Sequence, residues 1–235
     1  MLLLPVLICC TSTVSTAQKK TDLGIFSGTS YYMGDINMER HFYAPSLAVG
    51  PIIRYNFNPR HSLRFNAIYG TLRGDDLDFR NEFQRLRGHS FNTSFVDASF
   101  NFEFNFFPYK IYQRKDIWSP YITGGAGYNR VISSRASARG GIYPVVPPVK
   151  NNVILSYGGG FKLTLSRRVA VGIEWTARKT FSDSFDGLEN PGQDFNTFFH
   201  NKDWYSLVGL FITYKFWEYM EDCPAYEYNA YDRVN

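Results

Sequence analysis

Residues 96–106 alternate strictly between apolar and polar side chains. One parity carries valine, alanine and four phenylalanines, and the other carries aspartate, serine, asparagine and glutamate. This alternation predicts a β-strand, because successive side chains on a strand point to opposite faces. The length of the segment is about that of a tilted strand that crosses a bilayer. The segment therefore predicts a strand with a lipid-facing phenylalanine side and a polar side that faces a crowded, wet interior.

The same pattern recurs along the chain and gives eight alternating segments. They lie at 23–34, 47–57, 63–69, 96–106, 120–132, 153–165, 169–178 and 208–216. The connections at 58–61, 108–118 and 166–168 are short, and those at 35–44, 75–91, 134–151 and 181–202 are longer and polar. Short turns at one end and long loops at the other are typical of outer-membrane barrels. We therefore predict an all-β fold, an eight-stranded antiparallel transmembrane β-barrel of the outer-membrane type. Because the strand number is even, we expect the start of the first strand and the end of the last strand both to lie on the short-turn side, in the periplasm.

The N-terminus has the composition of a targeting segment. An apolar run over residues 2–10 precedes the small residues Ser15, Thr16 and Ala17, which is typical of a secretory signal peptide cleaved after Ala17. A lipoprotein, the alternative, would need a small residue before its modified cysteine. The predicted division is a signal peptide at 1–17, an outer-membrane β-barrel at 18–217 and a periplasmic C-terminal tail at 218–235.

Composition narrows the classes of protein that remain. No run of about 18 apolar residues follows the N-terminal segment, which excludes membrane-spanning helices. A secreted β-sandwich stays open as an alternative, because it also contains short alternating strands. Strand length, the 21 phenylalanines and 17 tyrosines, and the unequal loops favour the barrel. The net charge of +4 is small and the basic residues are dispersed, so we expect no nucleic-acid partner.

The polar parity of the strands contains charged residues. An eight-stranded barrel is just wide enough for side chains to fill its interior. The charges that we place there are Arg54, Arg64, Asp97, Glu103, Lys162, Glu174, Arg178 and Lys215. Because buried charges must pair or find hydrogen-bond partners, we interpret these residues as lumen ion pairs. A narrow conducting pore is the alternative to this filled lumen.

The predicted loops hold the residues with most potential for chemistry. His89 precedes Ser90, and the loop aspartates could bind a divalent cation or form an acid dyad, although such residues are more often solvated. These aspartates are Asp75, Asp76, Asp78, Asp183, Asp186 and Asp194. No HExxH, GxSxG or Walker-type motif is present. We therefore expect no enzyme, no catalytic residue, no metal site and no cofactor.

After cleavage at Ala17, Cys223 is the only remaining cysteine. A lone cysteine in an oxidising compartment indicates either an intermolecular disulfide or a free thiol. The sequence alone leaves both alternatives open.

Short motifs occur in a characteristic order along the chain. They are YYMGD at 31–35, FPY at 107–109, PYITGGAGY at 120–128, GIEW at 172–175, RKTFSD at 178–183, WY at 204–205, KF at 215–216 and CP at 223–224. In this order they resemble the PorG family of Bacteroidetes outer-membrane proteins, also described as a DUF6089 domain. Residues 135–149 match nothing in that pattern.

The resemblance implies an anchoring component of the type IX secretion system, which exports proteins across the outer membrane and supports gliding motility. It also implies contact with a periplasmic ring made of a lipoprotein and a partner subunit. The acidic tail, with Tyr219, Tyr226 and Tyr228, is then interpreted as a docking strip. We hypothesise that Cys223 forms a disulfide with the ring lipoprotein. The alternatives are a disordered tail, and a surface barrel whose outer loops bind a ligand or neighbouring protein.

Overall fold

The computed structural model describes residues 21–34, 36–37, 40–79, 82–109, 117–138, 151–166, 168–181 and 204–215. These residues form a closed barrel of eight strands in chain order, each antiparallel to its neighbours. The strands are β1 (Thr21–Met33), β2 (Ser46–Asn56), β3 (His61–Asp75), β4 (His89–Asn105), β5 (Trp118–Ala138), β6 (Asn151–Thr164), β7 (Val169–Thr180) and β8 (Trp204–Lys215). The predicted closed eight-stranded barrel is confirmed.

A short 3-10 helix (Asp76–Asp78) and one α-helix, α1 (Glu82–Arg87), lie between β3 and β4. Within the described residues, no helix is long and apolar enough to cross a membrane.

The alternation in β4 has the predicted orientation. Phe100 and Phe102 point outward and are 59% and 47% exposed, whereas Asp97 and Glu103 point inward and are fully buried. The alternating segment at 96–106, tilted by roughly 40°, spans on the order of 28 Å, which is close to the height of the apolar band of outer-membrane barrels, about 25 Å. Over this segment of β4 the outward face is therefore apolar and the inward face is polar, the reverse of a strand in a soluble β-barrel.

Exposed aromatic side chains are found toward both ends of the outer wall. Toward the end with the short turns they include Phe57, Phe107, Trp118, Phe161 and Tyr214, and toward the end with the long loops they include Tyr69, Tyr128, Tyr157 and Trp175. Such paired aromatic belts are typical of barrels whose rims lie at the two membrane–water interfaces.

The barrel closes where β1 meets β8. Asp22 pairs with Lys215 and Met33 pairs with Trp204, so the barrel's first and last residues both lie at the short-turn end. Gly28 lies opposite Gly209 in this register, and a Cβ atom on Gly209 would lie 2.6 Å from the Gly28 Cα atom. Glycine at this position therefore permits the two closing strands to approach each other.

Three strands are much longer than the alternation predicts, and β3 extends beyond the predicted 63–69 to Asp75. β4 begins seven residues before Val96, and β5 extends beyond the predicted 120–132 to Ala138. Near the long loops their outward residues become polar, as at Asn92 and Arg135, so apolar–polar alternation no longer reports the strand. A β-bulge opposite Ser94 and Phe95 also shifts the register of β5 in this region.

Candidate functional site in the barrel lumen

The lumen contains balanced charge. Seven of the eight predicted interior charges are buried; Lys215 is half-buried at the short-turn end. Asp22, which sequence reasoning did not include, is also buried. The buried lumen charges are thus the carboxylates Asp22, Asp97, Glu103 and Glu174 and the cations Arg54, Arg64, Lys162 and Arg178. These four buried carboxylates are matched by four buried cations, and half-buried Lys215 adds one more cation at the short-turn end.

Glu103 on β4 is the centre of the larger ion-pair cluster. Arg54 Nε on β2 donates to Glu103 Oε2 at 2.9 Å, and Arg64 Nη1 on β3 lies 3.0 Å from Glu103 Oε1. Lys162 Nζ on β6 also donates to Glu103 Oε2 and reaches Asn105 Oδ1 at 2.9 Å. One carboxylate therefore ties together side chains from four different strands.

Arg64 extends this cluster to a second carboxylate. Its guanidinium donates two hydrogen bonds to Glu174 on β7, with Nη2 at 2.9 Å from Oε1. The Tyr121 hydroxyl on β5 donates to the same carboxylate, and Lys162 Nζ lies 4.2 Å from the centroid of the Tyr121 ring. The cluster thus crosses the lumen and links β2 to β7.

A second, separate ion pair involves Asp97. Arg178 on β7 donates to Asp97 Oδ2, and the Tyr205 hydroxyl on β8 donates to the same oxygen at 2.6 Å. Asn129 Nδ2 in turn donates to the Tyr205 oxygen at 3.1 Å. Charge-assisted hydrogen bonds of this kind are the compensation that buried ionised groups need.

Polar contacts fill the lumen at the short-turn end. Asn56 Nδ2 donates to Asp22 Oδ2 at 2.8 Å, and the Lys215 ammonium is one of the cations that act on Asp22. Lys215 makes no ion pair with another residue in the described part of the chain, so its predicted pairing is not found there.

Tyr109, in the β4–β5 connection, accepts a hydrogen bond from Thr164 Oγ1 at 3.1 Å. Burial raises the pKa of Tyr109 to about 12, so the phenol is neutral at physiological pH.

Apolar side chains fill the lumen at the long-loop end. Their main members are Tyr32, Ile36, Leu72, Phe91, Phe95 and Leu207. Ile36 comes from the β1–β2 connection and is fully buried, and Gln84 Nε2 of α1 donates to its carbonyl oxygen at 2.9 Å. Apolar packing thus follows the charged clusters along the barrel axis.

The loop carboxylates mostly stabilise the loops themselves. Asp75 Oδ1 accepts from the Leu77 backbone N–H at 3.0 Å, and Asp76 is buried and accepts from the His89 N–H at 3.0 Å. Asp78 accepts from the Tyr43 hydroxyl at 2.7 Å. Burial and this hydrogen bond to Asp78 raise the pKa of Tyr43.

Across the described residues there is no group of His, Cys, Asp and Glu that could hold a metal ion. Asp183, Asp186 and Asp194 lie outside the described residues. The proposed partner-binding residues also lie outside them: Cys223, Tyr219, Tyr226 and Tyr228.

Sequence reasoning missed three lumen residues that take part in the polar contacts, two tyrosines and one aspartate. Tyr121 and Tyr205 are hydrogen-bonded to lumen carboxylates, yet a tyrosine in an alternating strand is equally compatible with a lipid-facing position. The alternation around Tyr121 is also weakened by the glycines at 124, 125 and 127. Asp22 lies just before the first predicted segment, so it was not assigned to a strand face.

No curated protein matches the sequence. Among solved structures, the chain is similar to the N-terminal β-barrel domain of Pseudomonas aeruginosa OprF, with 9% identity, a TM-score of 0.41 and coverage of 82% of this chain and 96% of that chain. It is similar to Ail, the attachment invasion locus protein of Yersinia pestis, with 12% identity, a TM-score of 0.42 and coverage of 83% and 96%.

The Neisserial surface protein A is a further similar structure, with 10% identity, a TM-score of 0.46 and coverage of 84% of this chain and 97% of that chain. At such identities nothing about function follows.

The sequence also matches the model of a protein family. The family pattern extends over residues 1–225 and so includes every strand of the barrel. The chain belongs to the family described as "Domain of unknown function (DUF6089)".

Proposed function

We propose that this protein is a non-enzymatic outer-membrane barrel that anchors a periplasmic assembly of the type IX secretion system. The observation that carries the proposal is the combination of an apolar outer wall with a lumen filled by ion pairs and apolar side chains. In the described part of the chain these side chains occupy the interior that a solute would have to cross, whereas the apolar outer wall suits a fixed position in a bilayer. Attachment is therefore the role that the barrel serves best.

The membrane location is supported by the outer wall. Large apolar side chains such as Ile25, Leu47, Phe100 and Leu210 are each more than half exposed. Exposed apolar area on this scale is rare on a soluble monomer and is suited to acyl chains. In this proposal residues 1–17 direct export, and the short-turn end faces the periplasm.

The attachment itself is assigned to the C-terminal tail. The barrel ends at Lys215, which pairs with Asp22 at the short-turn end, so residues 218–235 follow on from that end. The tail is acidic and contains Tyr219, Tyr226 and Tyr228, a composition suited to binding a protein surface. The PorG resemblance supplies the partner class, a ring lipoprotein in the periplasm.

Co-purification of the intact protein and a variant that lacks residues 218–235 tests this proposal. Both proteins are expressed in the native bacterium, and a shift in mobility on heating shows that each barrel is folded. We expect periplasmic lipoprotein partners to accompany only the intact protein. Equal recovery of those partners with both proteins would contradict tail-mediated anchoring.

The proposed disulfide has its own test. Non-reducing electrophoresis of outer membranes is expected to show a heavier species for the wild type that is absent from Cys223→Ser and from reduced samples. Identical migration of wild type and Cys223→Ser would overturn the disulfide while leaving non-covalent anchoring open to the co-purification test.

The alternative function, binding by the outer loops, has one supporting observation. The β1–β2 and β3–β4 connections are fixed to each other, because the Tyr43 hydroxyl contacts both Asp75 and Asp78. Phe42 and Ala44 on either side of Tyr43 have positive φ angles of 61° and 45°, which is uncommon for residues other than glycine. A partner retained after tail deletion would favour this second function.

A further inference from the structure

A cavity of about 510 Å³ lies on the outer wall of the barrel, toward the long-loop end. It is not part of the lumen, because its floor is built from outward-facing residues of β6, β7 and β8. Ala177 pairs with Tyr157 on one side and with Ser206 on the other, and Gly159 lies beside Trp175. Small side chains at three neighbouring positions thus leave a depression in the outer wall.

Aromatic rings surround this floor. The Tyr157 and Trp204 rings meet edge to face with centroids 5.9 Å apart, and the His41 and Trp175 rings do so at 5.8 Å. We refer to these four residues, together with the floor they enclose, as the aromatic box. Its rings come from three strands and one connection, so the box exists only in the closed barrel.

The β1–β2 connection completes the box by folding back over the outer wall. His41 Nδ1 lies 3.5 Å from the Tyr31 hydroxyl, and the Phe42 ring packs on the Tyr31 ring with centroids 5.1 Å apart. Tyr31 and Ser206 point outward but are only 0% and 3% exposed, because this side of the barrel is covered. The cavity is therefore a built concavity and not a gap between neighbouring strands.

The chemistry of the lining identifies the class of ligand. Among the described residues that line the cavity, none carries a carboxylate, an ammonium or a guanidinium group. A cation lies beside the box: Lys179 Nζ is 4.8 Å from the centroid of the Trp204 ring and is engaged there in a cation–π contact, so the lining itself stays uncharged. Tyr157 and Trp175 are half exposed on the same outer wall as the apolar band, so the box opens toward the space that acyl chains would fill.

We propose that the aromatic box binds the segment of a membrane-lipid acyl chain that lies nearest the headgroup. This inference rests on the proposed membrane location but not on the secretion role. A concave apolar surface contacts an acyl-chain segment on several sides. The convex outer wall elsewhere on the barrel contacts such a segment on one side only. Preformed apolar concavities are typical of small-molecule sites.

Filling the floor of the box tests the inference. Ala177→Phe places a large side chain in the cavity, and Ala126→Phe, an outward and exposed position on β5, introduces the same change away from it. The full-length proteins are folded in detergent micelles, and defined phosphatidylethanolamine is added. Native mass spectrometry then measures the fraction of protein that retains one lipid.

We expect wild type and Ala126→Phe to retain one lipid and Ala177→Phe to bind it about tenfold more weakly, which corresponds to about 1.4 kcal/mol. Glycerophosphoethanolamine, which has the headgroup but no acyl chains, is expected not to bind. Equal retention by all three proteins, binding of the headgroup alone, or dimers in place of lipid adducts would overturn the inference.

A heat-induced mobility shift is measured for every protein, so that folding and lipid binding are separated. If Ala177→Phe does not fold, Ser206→Leu replaces it as the filling variant. A wild type that shifts on heating but retains no lipid contradicts the aromatic box alone. A wild type that shows no shift and stays soluble without detergent contradicts the proposed membrane location.

Discussion

Glu103 is the residue on which most of the lumen charge converges. Its carboxylate forms ion pairs with Arg54, Arg64 and Lys162, and the carboxylate and the three cations are all buried. Bringing such charges out of water costs free energy that only close pairing offsets. Among the described residues, removing this negative partner leaves the three cations with only one carboxylate at ion-pair distance, Glu174, which pairs with Arg64.

Glu103→Gln is expected to lower the free energy of unfolding by about 3–5 kcal/mol, the usual cost of leaving a buried charge uncompensated. Urea unfolding in detergent, followed by tryptophan fluorescence, measures the change. Glu82→Gln on the exposed side of α1 is the matched control and should have no measurable effect. If both variants unfold like the wild type, the Glu103 cluster does not stabilise the barrel.

Tyr109 is expected to make the stability of the barrel depend on pH. Burial raises its pKa from 10 to about 12, so the unfolded chain loses this proton at a lower pH than the folded barrel does. The contribution of Tyr109 to stability is fully present below pH 10 and is lost as the pH rises toward 12. As the pH rises from 10 to about 12, the wild type should thus lose more stability than Tyr109→Phe. The midpoint of unfolding in urea, determined for both proteins at each pH, measures this loss. Parallel curves for the two proteins would contradict the burial of this phenol.

Strand β4 shows what alternation reports at the scale of an element. Its outer parity is apolar over residues 96–106, where the predicted orientation was correct at every position that the structure describes. Beyond this segment both faces of β4 become partly polar, and the strand continues without a sequence signal. Alternation therefore predicts the part of a strand whose outward face is apolar and not the full length of the strand.

Phe102→Arg places a charge in the middle of the outer face of β4. It is expected to cost about 2–4 kcal/mol if this position lies near the midplane of a bilayer. Unfolding from lipid vesicles provides the measurement, and Asn92→Arg, on the same face but outside the apolar segment, is the control. Equal stabilities of the two variants would mean that the phenylalanine face does not meet acyl chains.

The contact between β1 and β8 depends on small residues at Gly28 and Gly209. Gly209→Val is expected to slow or prevent closure, since its Cβ atom would lie 2.6 Å from the Ser27 carbonyl oxygen. Gly124→Val is the control, because a Cβ atom there meets nothing nearer than 3.9 Å. The folded fraction on unheated gels measures closure, and equal folding of both variants would contradict this role of Gly209.

For the whole molecule, sequence patterns predicted the strand number, the closed topology and most of the charges that enter the lumen, although not Asp22. They did not assign the partners of the ion pairs, because partners such as Arg64 and Glu174 are 110 positions apart and meet only across the closed barrel. They gave no indication of the aromatic box, since it requires the β1–β2 connection to fold over β8. Those features depend on closure and loop packing, which local periodicity does not encode.

The central claim is that the barrel crosses a bilayer with its phenylalanine face toward lipid and its polar face sealed inside. Spin labels on cysteines that replace residues 96–106 one at a time, in a Cys223→Ser background in lipid vesicles, test it directly. We predict that labels at 98, 100, 102 and 104 are accessible to oxygen and shielded from a water-soluble nickel chelate. Labels at 97, 99, 101 and 103 should be shielded from both. Nickel access at the phenylalanine positions, or shielding of both parities alike, would contradict the account.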